Sequence, residues 1–324
     1  MKIGFCRYII LFTFLLYASS NLNAEVSDSL SLKPDKPYSF GGYTRYLFDG
    51  FCPKDTTNVR TIPALAFGVS LITAMVITHY RLYNFWWKTS YGGGFHWQND
   101  WEDSRQFDKF GHFYATYMLA FGASEGLMYS GINRNTAEWL GMCFGFAYQL
   151  YIETNDGFAA PFGFSPTDIA ANFLGASFFI LQRKYEFLQY FTPKWQYIPA
   201  KWMGGRTSGT VISFFDTYNT SSFWLSADVH NLLPENVKNC CPPWLNLALG
   251  YSVRGFELSN PQRCYMVGLD LNFPAIAENM KPSTWRWLVQ SLNYLKFPLP
   301  AVEFGYNRKI HLFYPFAFGI VKSF

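Results

Sequence analysis

The sequence predicts an α+β protein: an N-terminal membrane-associated bundle of about four helices, followed by an antiparallel β-rich region with one amphipathic helix. Three observations carry this reading. The twenty residues from Thr61 to Tyr80 contain no Asp, Glu, Lys or Arg. Three further apolar stretches follow, rich in Gly and Ala. Beyond about Gly205 the apolar residues recur at every second position, which marks a change from helix to strand.

Composition agrees with this division. The 324 residues are 50% hydrophobic, 21% aromatic and only 15% charged. Soluble domains carry about 25% charge, so the chain suits a lipid boundary or a large apolar core, and disorder is excluded. The net charge of +4, or +2 without Lys2 and Arg7, leaves no electrostatic footprint for nucleic acid. The expected partners are membrane lipid and another envelope protein.

At the N-terminus Lys2 and Arg7 precede an uncharged run from Tyr8 to Ala18, and small and polar residues extend to Ala24. Residues 1–24 therefore read as a secretory signal peptide. The run is too short for a spanning helix, which needs about 20 residues, and Cys6 lies before it rather than where a lipoprotein cysteine would sit. An extended lead segment is expected over 25–60, a helical domain over 61–190 and a β-rich region over 206–324. Export leaves Cys52, Cys143, Cys240, Cys241 and Cys264. Cys143 is expected as a buried free thiol in a small-residue helix, and the other four to form one or two disulfides. No Cys-x-x-Cys spacing suggests structural zinc.

The Thr61–Tyr80 run lies between Arg60 and Arg81 and precedes the aromatic group Tyr83, Phe85, Trp86 and Trp87. It is long enough to cross a bilayer; a buried central helix is the alternative. Helices are expected at roughly Phe107 to Tyr129, Ala137 to Thr154 and Pro166 to Tyr185, with Gly122, Gly126, Gly141, Gly145 and Gly175 allowing close approach. Alternation predicts strands through Phe223, Leu225, Ala227 and Val229, through Leu245 to Val253, through Tyr265 to Leu271, through Val302 to Tyr306 and through Leu312 to Phe318. Ser283 is positioned to cap a helix whose Trp285, Leu288, Leu292 and Leu295 form one apolar stripe. About six strands is fewer than the eight of the smallest membrane barrels. A half-buried sheet packed on the bundle, or lying at a lipid surface, is the simpler arrangement. The terminal Phe324 keeps an outer-membrane barrel component as an alternative.

Each of the three later helices carries two polar residues four positions apart: Asp108 and His112, Gln149 and Glu153, Asp168 and Asn172. Residues at i and i+4 share a helix face. If the three faces meet, the bundle encloses Asp108, His112, Glu153, Asp168 and Asn172, with Lys109 and Asp156 near the rim. Buried charges must pair, share protons or bind an ion. One reading is a hydrogen-bonded network that fixes helix packing. The other is an enzyme on a lipid-linked envelope substrate, with His112, Asp108, Glu153 and Asp168 performing acid-base work or holding a divalent cation, and Lys109, Asp156 and Asn172 binding the substrate. Asp168 also suits the first turn of the helix opened by Ser165-Pro166, and Asp108 the first turn of its own. No cofactor motif is present: there is no Gly-x-Ser-x-Gly, no His-Glu-x-x-His, no phosphate loop and no dinucleotide fingerprint. Gly92-Gly93-Gly94 reads as a flexible turn, and His79, His230 and His311 as isolated packed or surface residues. Two loops frame the constellation. The first runs from Phe95 to Glu102 and includes His96, a possible metal ligand. The second, Gly157 to Ser165, carries Phe158, Phe162 and Phe164 and reads as a plug for the core or a lid.

The run Asp108-Lys109-Phe110-Gly111-His112-Phe113, then Glu153-x-x-Asp156, then Ser165-x-x-Asp168 with Asn172 and Gly175, resembles the YfiM-like family of predicted periplasmic proteins, a DUF2279-type domain of unknown function. It is similar, more distantly, to VanZ-like membrane proteins, with their Asp-Lys-x-x-His start and Asp-x-x-x-Asn-x-x-Gly end. The resemblance covers roughly residues 95 to 182. It implies an envelope protein, lipoprotein or membrane-associated, with no established activity. The VanZ likeness, linked to glycopeptide-antibiotic tolerance, implies envelope precursors as targets.

Overall fold

The computed structural model describes residues 37–88, 92, 94–198, 218–255, 261–305, 308–316 and 320–323. The expected signal peptide at 1–24, the start of the lead segment, Gly93, the strand positions Tyr306 and Phe318 and the terminal Phe324 lie outside the described residues. Within the lead segment a hairpin of β1 (Ser39–Phe40) and β2 (Tyr43–Thr44) replaces part of the expected extended chain. Its turn is Gly41-Gly42 with φ of 60° and 87°, a left-handed pair that glycine adopts without a Cβ clash.

The first helix, α1 (Thr61–Leu82), runs on as a π-helical turn to Trp87. These 27 residues are long and apolar enough to cross a membrane, with a mean hydropathy of 1.9, and none of their most apolar stretch is buried. At 1.5 Å per residue the helix is roughly 40 Å long, beyond the ~30 Å of a hydrocarbon layer. Ile62, Leu65, Val69, Ile77 and Tyr80 all face outward, so this is not a core helix. It touches the rest of the molecule through Phe67, which lies over Gly126 beside Leu127, and through Trp87, buried against Ala159.

Three helices pack tightly on one another: α2 (Phe107–Tyr129), α3 (Arg134–Asp156) and α4 (Pro166–Lys184). Asn133 caps α3 by accepting from Thr136 N at 2.9 Å, and Ser165 caps α4 by accepting from Asp168 N at 3.1 Å, with Pro166 preset for the first turn. Small residues let the backbones meet. A Cβ on Gly145 would lie 2.8 Å from Thr116 O, and one on Gly175 would overlap the Phe113 carbonyl. Gly122 departs from expectation, having nothing within 4 Å of its Cβ position. Cys143 does too. It is exposed, because it points away from the Gly141–Gly145 seam that buries α3.

Seven strands form one antiparallel sheet in sequential order: β3 (Phe191–Tyr197), β4 (Ser221–Ala227), β5 (Leu245–Arg254), β6 (Gln262–Leu271), β7 (Ala301–Gly305), β8 (Lys309–His311) and β9 (Ile320–Ser323). Four of the five expected strands are present in whole or part. Val229 falls outside β4, in a one-turn helix (Val229–Leu232) capped by Asp228. Residues 312–316 form bends and a turn instead of continuing the expected Leu312–Phe318 strand; β8 and β9 flank them. β3, which contains Pro193, was not among the expected strands. Proline is tolerated there because β3 ends the order of the sheet, where one row of backbone groups needs no partner.

The sheet buries an apolar cluster of Trp224, Ala248, Cys264, Met266 and Ala301 on its inner side, but buries many polar side chains with it and exposes apolar ones on the other side. On β4 to β7 the outward side chains include Leu225, Leu247, Leu249, Tyr265, Val267 and Phe304, all exposed. The alternate positions, including Ser226, Asn246, Ser252, Arg254, Asp270 and Glu303, are buried. Lys194 and Asp270, both fully buried, pair at 2.6 Å. The helix α5 (Thr284–Ser291) also exposes apolar side chains: Ser283 caps it, accepting from Arg286 N at 3.3 Å, but Arg286 and Gln290 are buried while Trp285 and Leu288 of the expected apolar stripe face out. The helices join the sheet where Phe107 packs with Phe223, Tyr251 and Val253.

All five described cysteines are free thiols, so the expected disulfides among Cys52, Cys240, Cys241 and Cys264 are not formed. Cys264 is fully buried inside the sheet beside Met266, out of reach of the exposed Cys240.

Candidate functional site

The site forms where the N-terminal turns of α2 and α4 meet the C-terminal turns of α3. The approach to α2 is set by Ser104, Arg105 and Gln106, three consecutive residues with φ between 51° and 63°. A left-handed conformation costs a non-glycine residue roughly 1 kcal/mol or more. Contacts with the sheet region hold it: Tyr251 Oη donates to Arg105 O, Arg105 Nε donates to Pro261 O at 3.2 Å, and Arg263 donates to Gln106 Oε1 at 2.6 Å.

All three polar faces converge. His112 Nδ1 lies 3.2 Å from Asn172 Oδ1 and 3.5 Å from Glu153 Oε1, while Nε2 lies 3.6 Å from Asp108 Oδ2 and 3.7 Å from Asp168 Oδ1. Thr116, one turn below, donates to the same Asn172 oxygen at 2.9 Å. Lys109 is not at the rim as expected but buried at the centre. Its Nζ donates to Asp168 Oδ1 at 2.5 Å, pairs with Asp100 Oδ1 at 2.8 Å and reaches Asp108 Oδ2 at 3.4 Å. Asp156 does lie at the periphery, accepting from Trp87 Nε1 at 2.7 Å, which ties the end of the long apolar helix to the site. The buried Asn172 Nδ2 has no hydrogen-bond partner.

Asp100 is the residue that sequence reasoning missed. It comes from the loop before α2 and accepts from Ser165 Oγ at 2.5 Å and Thr167 Oγ1 at 2.7 Å, besides pairing with Lys109. The two framing loops are clipped together, with Gln98 N donating to Phe164 O, Phe164 N to His96 O and His96 N to Gly157 O. Phe95, Trp97, Phe158 and Phe164 stack over this clip. The second loop is thus fastened to the first over the end of the core. His96 does not join the cluster; its Nδ1 lies 3.3 Å from Gly94 O. His79 packs among Tyr83, Trp87 and Tyr151, and His230 and His311 are likewise held in local contacts.

Five carboxyl groups face one lysine and one imidazole, so the cluster redistributes protons. Burial works against a charged His112, but Asp108, Asp168 and Glu153 outweigh it and hold the imidazolium up to about 9. Burial raises Glu153 to about 8 and Asp168 to about 7, each held back by His112. Asp156 is raised by burial to about 6. Burial also opposes ionisation of Asp100, yet hydrogen bonds with Asp168, Lys109, Ser165 and Thr167 keep its carboxyl well below the usual range. Near neutrality the cluster therefore contains carboxylates, carboxylic acids and two cations side by side. Ligand atoms of Asp108, His112 and Asp168 lie within 4.8 Å of one another, close enough to share a metal ion.

Residues 96–184 match a family model described as predicted periplasmic lipoprotein, DUF2279. The matched stretch holds every cluster residue and nearly coincides with the 95–182 span of the sequence resemblance. It supports an envelope, periplasmic location for a protein of uncharacterised activity. Neither the curated proteins nor the solved structures contain a match to the chain.

Proposed function

We propose that this is a non-enzymatic, membrane-associated component of the cell envelope in which the Asp-Lys-His cluster locks three helices and one loop into a fixed assembly, a structural role in building or holding the envelope. The observation that carries this reading is the position of Lys109 Nζ, which occupies Asp168 Oδ1 and Asp100 Oδ1 at 2.5 and 2.8 Å. An internal ammonium already neutralises the oxygens that a metal or a cationic substrate group would need. Membrane association rests on the outward-facing apolar helix Thr61–Trp87, and Trp87 links that helix to the cluster through Asp156.

A second reading is favoured by the grouping of Asp108, His112 and Asp168 within 4.8 Å. Here a divalent cation binds those three side chains with Glu153 close by, and the site acts on a lipid-linked envelope substrate. Elemental analysis of the purified protein, paired with thermal unfolding of His112→Ala, separates the two. A metal-free parent and a strongly destabilised variant support the lock. Stoichiometric metal in the parent, with a variant that keeps its stability but loses the metal, supports the cation site and defeats the lock.

A further inference from the structure

We infer that the outward face of the seven-stranded sheet is a lipid-contacting surface, seated in the hydrocarbon of a bilayer. This deepens the membrane association proposed above but rests on residues of the sheet alone. In water, a sheet with one solvated face turns its apolar side chains inward and its polar ones out. Here the inward face combines an apolar cluster of Trp224, Ala248, Cys264, Met266 and Ala301 with many polar side chains, and the outward face, covered by α2 at Phe223, Tyr251 and Val253, exposes an apolar patch beyond that contact. Lys194, Asn246, Arg254, Asp270, Glu303 and His311 point into the protein and are buried, while Leu225, Leu247, Leu249, Tyr265, Val267 and Phe304 face out, each at least 40% exposed. The register places Leu225, Leu249 and Val267 side by side across three strands, so the exposed residues form a continuous patch. No charged side chain stands among these six positions; of the charged groups on β5 to β7, Arg254, Asp270 and Glu303 are buried behind the sheet, while Arg263 stands on the outward face toward the start of β6 and donates to Gln106.

The dimensions and the order of residue types also fit a bilayer. β5 and β6 have ten residues each, and a strand crossing hydrocarbon needs about 9–11. Trp244, exposed, stands just before β5, and toward its other end stand the exposed Tyr265 and Phe110, 5.5 and 4.8 Å ring to ring from Tyr251, which is itself buried beneath α2. Leu247, Leu249 and Val267 lie between the two aromatic groups. From Trp244 to Tyr251 the strand advances seven residues, roughly 23 Å along its own axis at about 3.3 Å each.

The test uses the unaltered full-length protein in vesicles of phosphatidylcholine and phosphatidylglycerol containing a phospholipid with a photoactivatable diazirine near the end of one acyl chain. After illumination, adducts are mapped by mass spectrometry. Adducts on the peptides carrying Leu247, Leu249 and Val267, as well as on Thr61–Trp87, are the expected result. Adducts confined to Thr61–Trp87 overturn the inference and leave membrane association standing, with a protein covering of the sheet, a second copy included, in its place. No adducts on either overturns both. As a second measurement, the double variant Leu249→Lys, Val267→Lys is expected to lower the acyl-chain adducts on the sheet peptides roughly tenfold or more while those on Thr61–Trp87 stay unchanged. Sheet adducts equal to those of the unaltered protein overturn the inference.

Discussion

Lys109 Nζ and Asp168 Oδ1 lie 2.5 Å apart, joining the first turn of α2 to the first turn of α4 across 59 residues of sequence. Both side chains are almost wholly buried, with exposures of 8% and 6%. Removing one member of such a pair strands the other as an uncompensated charge, a loss of about 3–5 kcal/mol. Lys109→Met should therefore lower the unfolding midpoint sharply. Adding Asp100→Asn to it should restore part of the loss, since Asp100 is the carboxyl held ionised beside Lys109 and the second change removes that stranded carboxylate. Denaturant unfolding of the two variants beside the parent measures both steps, and a neutral Lys109→Met would show that the pair is not what holds the helices.

The pH dependence follows from the direction of each shift. His112 titrates above its ordinary value, at about 9, so its contribution is complete below about pH 6.5 and is lost as pH rises through 9. Glu153 and Asp168, raised by burial to about 8 and 7, favour the fold in their protonated forms. Stability from them falls as pH climbs from the ordinary carboxylate range to those values. Asp100 works in the opposite sense: its depressed value gives stability that is present above about pH 4 and lost in stronger acid. Thermal stability should thus be greatest in mild acid and decline steadily toward pH 9. His112→Gln should flatten the alkaline decline, and an unchanged slope in that variant would remove the imidazolium from the account.

Gly175 sets the spacing of α4 on α2. A Cβ at this position overlaps the carbonyl oxygen of Phe113, which is backbone and has no rotamer to yield. Gly175→Ala must push α4 outward, and overpacking of this kind costs typically 1–3 kcal/mol, so a loss of about that size is expected. One turn earlier on α4, Asn172 would be drawn away from His112 and Thr116. Gly122→Ala is the control. Nothing lies within 4 Å of its Cβ position, and replacing an exposed helical glycine should raise stability by about 0.5–1 kcal/mol.

The site was legible in the sequence because polar residues four apart stand out in apolar helices: Asp108, His112, Glu153, Asp168 and Asn172 all meet. Asp100 escaped because its partners Ser165 and Thr167 are 65 and 67 residues away, and a loop residue has no period to betray it. Lys109 looked peripheral for a related reason. Its long side chain reaches inward from a position beside the polar face, which residue spacing alone does not reveal. In the second half, alternation correctly marked strands but not which side of each is buried, since either phase of a two-residue period can face inward. On α5 the spacing marked the stripe of Trp285 and Leu288 but not its direction, which is outward. β3 went unread; its Pro193 is accommodated because the strand ends the order of the sheet.

Thiol chemistry gives a further check on the arrangement. The described cysteines are unpaired, and they differ in access: Cys143 and Cys240 are exposed, Cys52 and Cys241 intermediate, Cys264 buried. A maleimide added to the folded protein should modify Cys143 and Cys240 first and leave Cys264 untouched until denaturant is added, because only an accessible thiol can form its reactive thiolate. Peptide mapping after timed labelling reads this order directly. Cys143 is the informative residue, since burial in a tight helical interior and exposure on the outer face of α3 predict opposite ends of the time course. Slow labelling of Cys143 alongside fast labelling of Cys240 would mean that the outer face of α3 is covered, and the packing described for the Gly141–Gly145 seam would have to be redrawn.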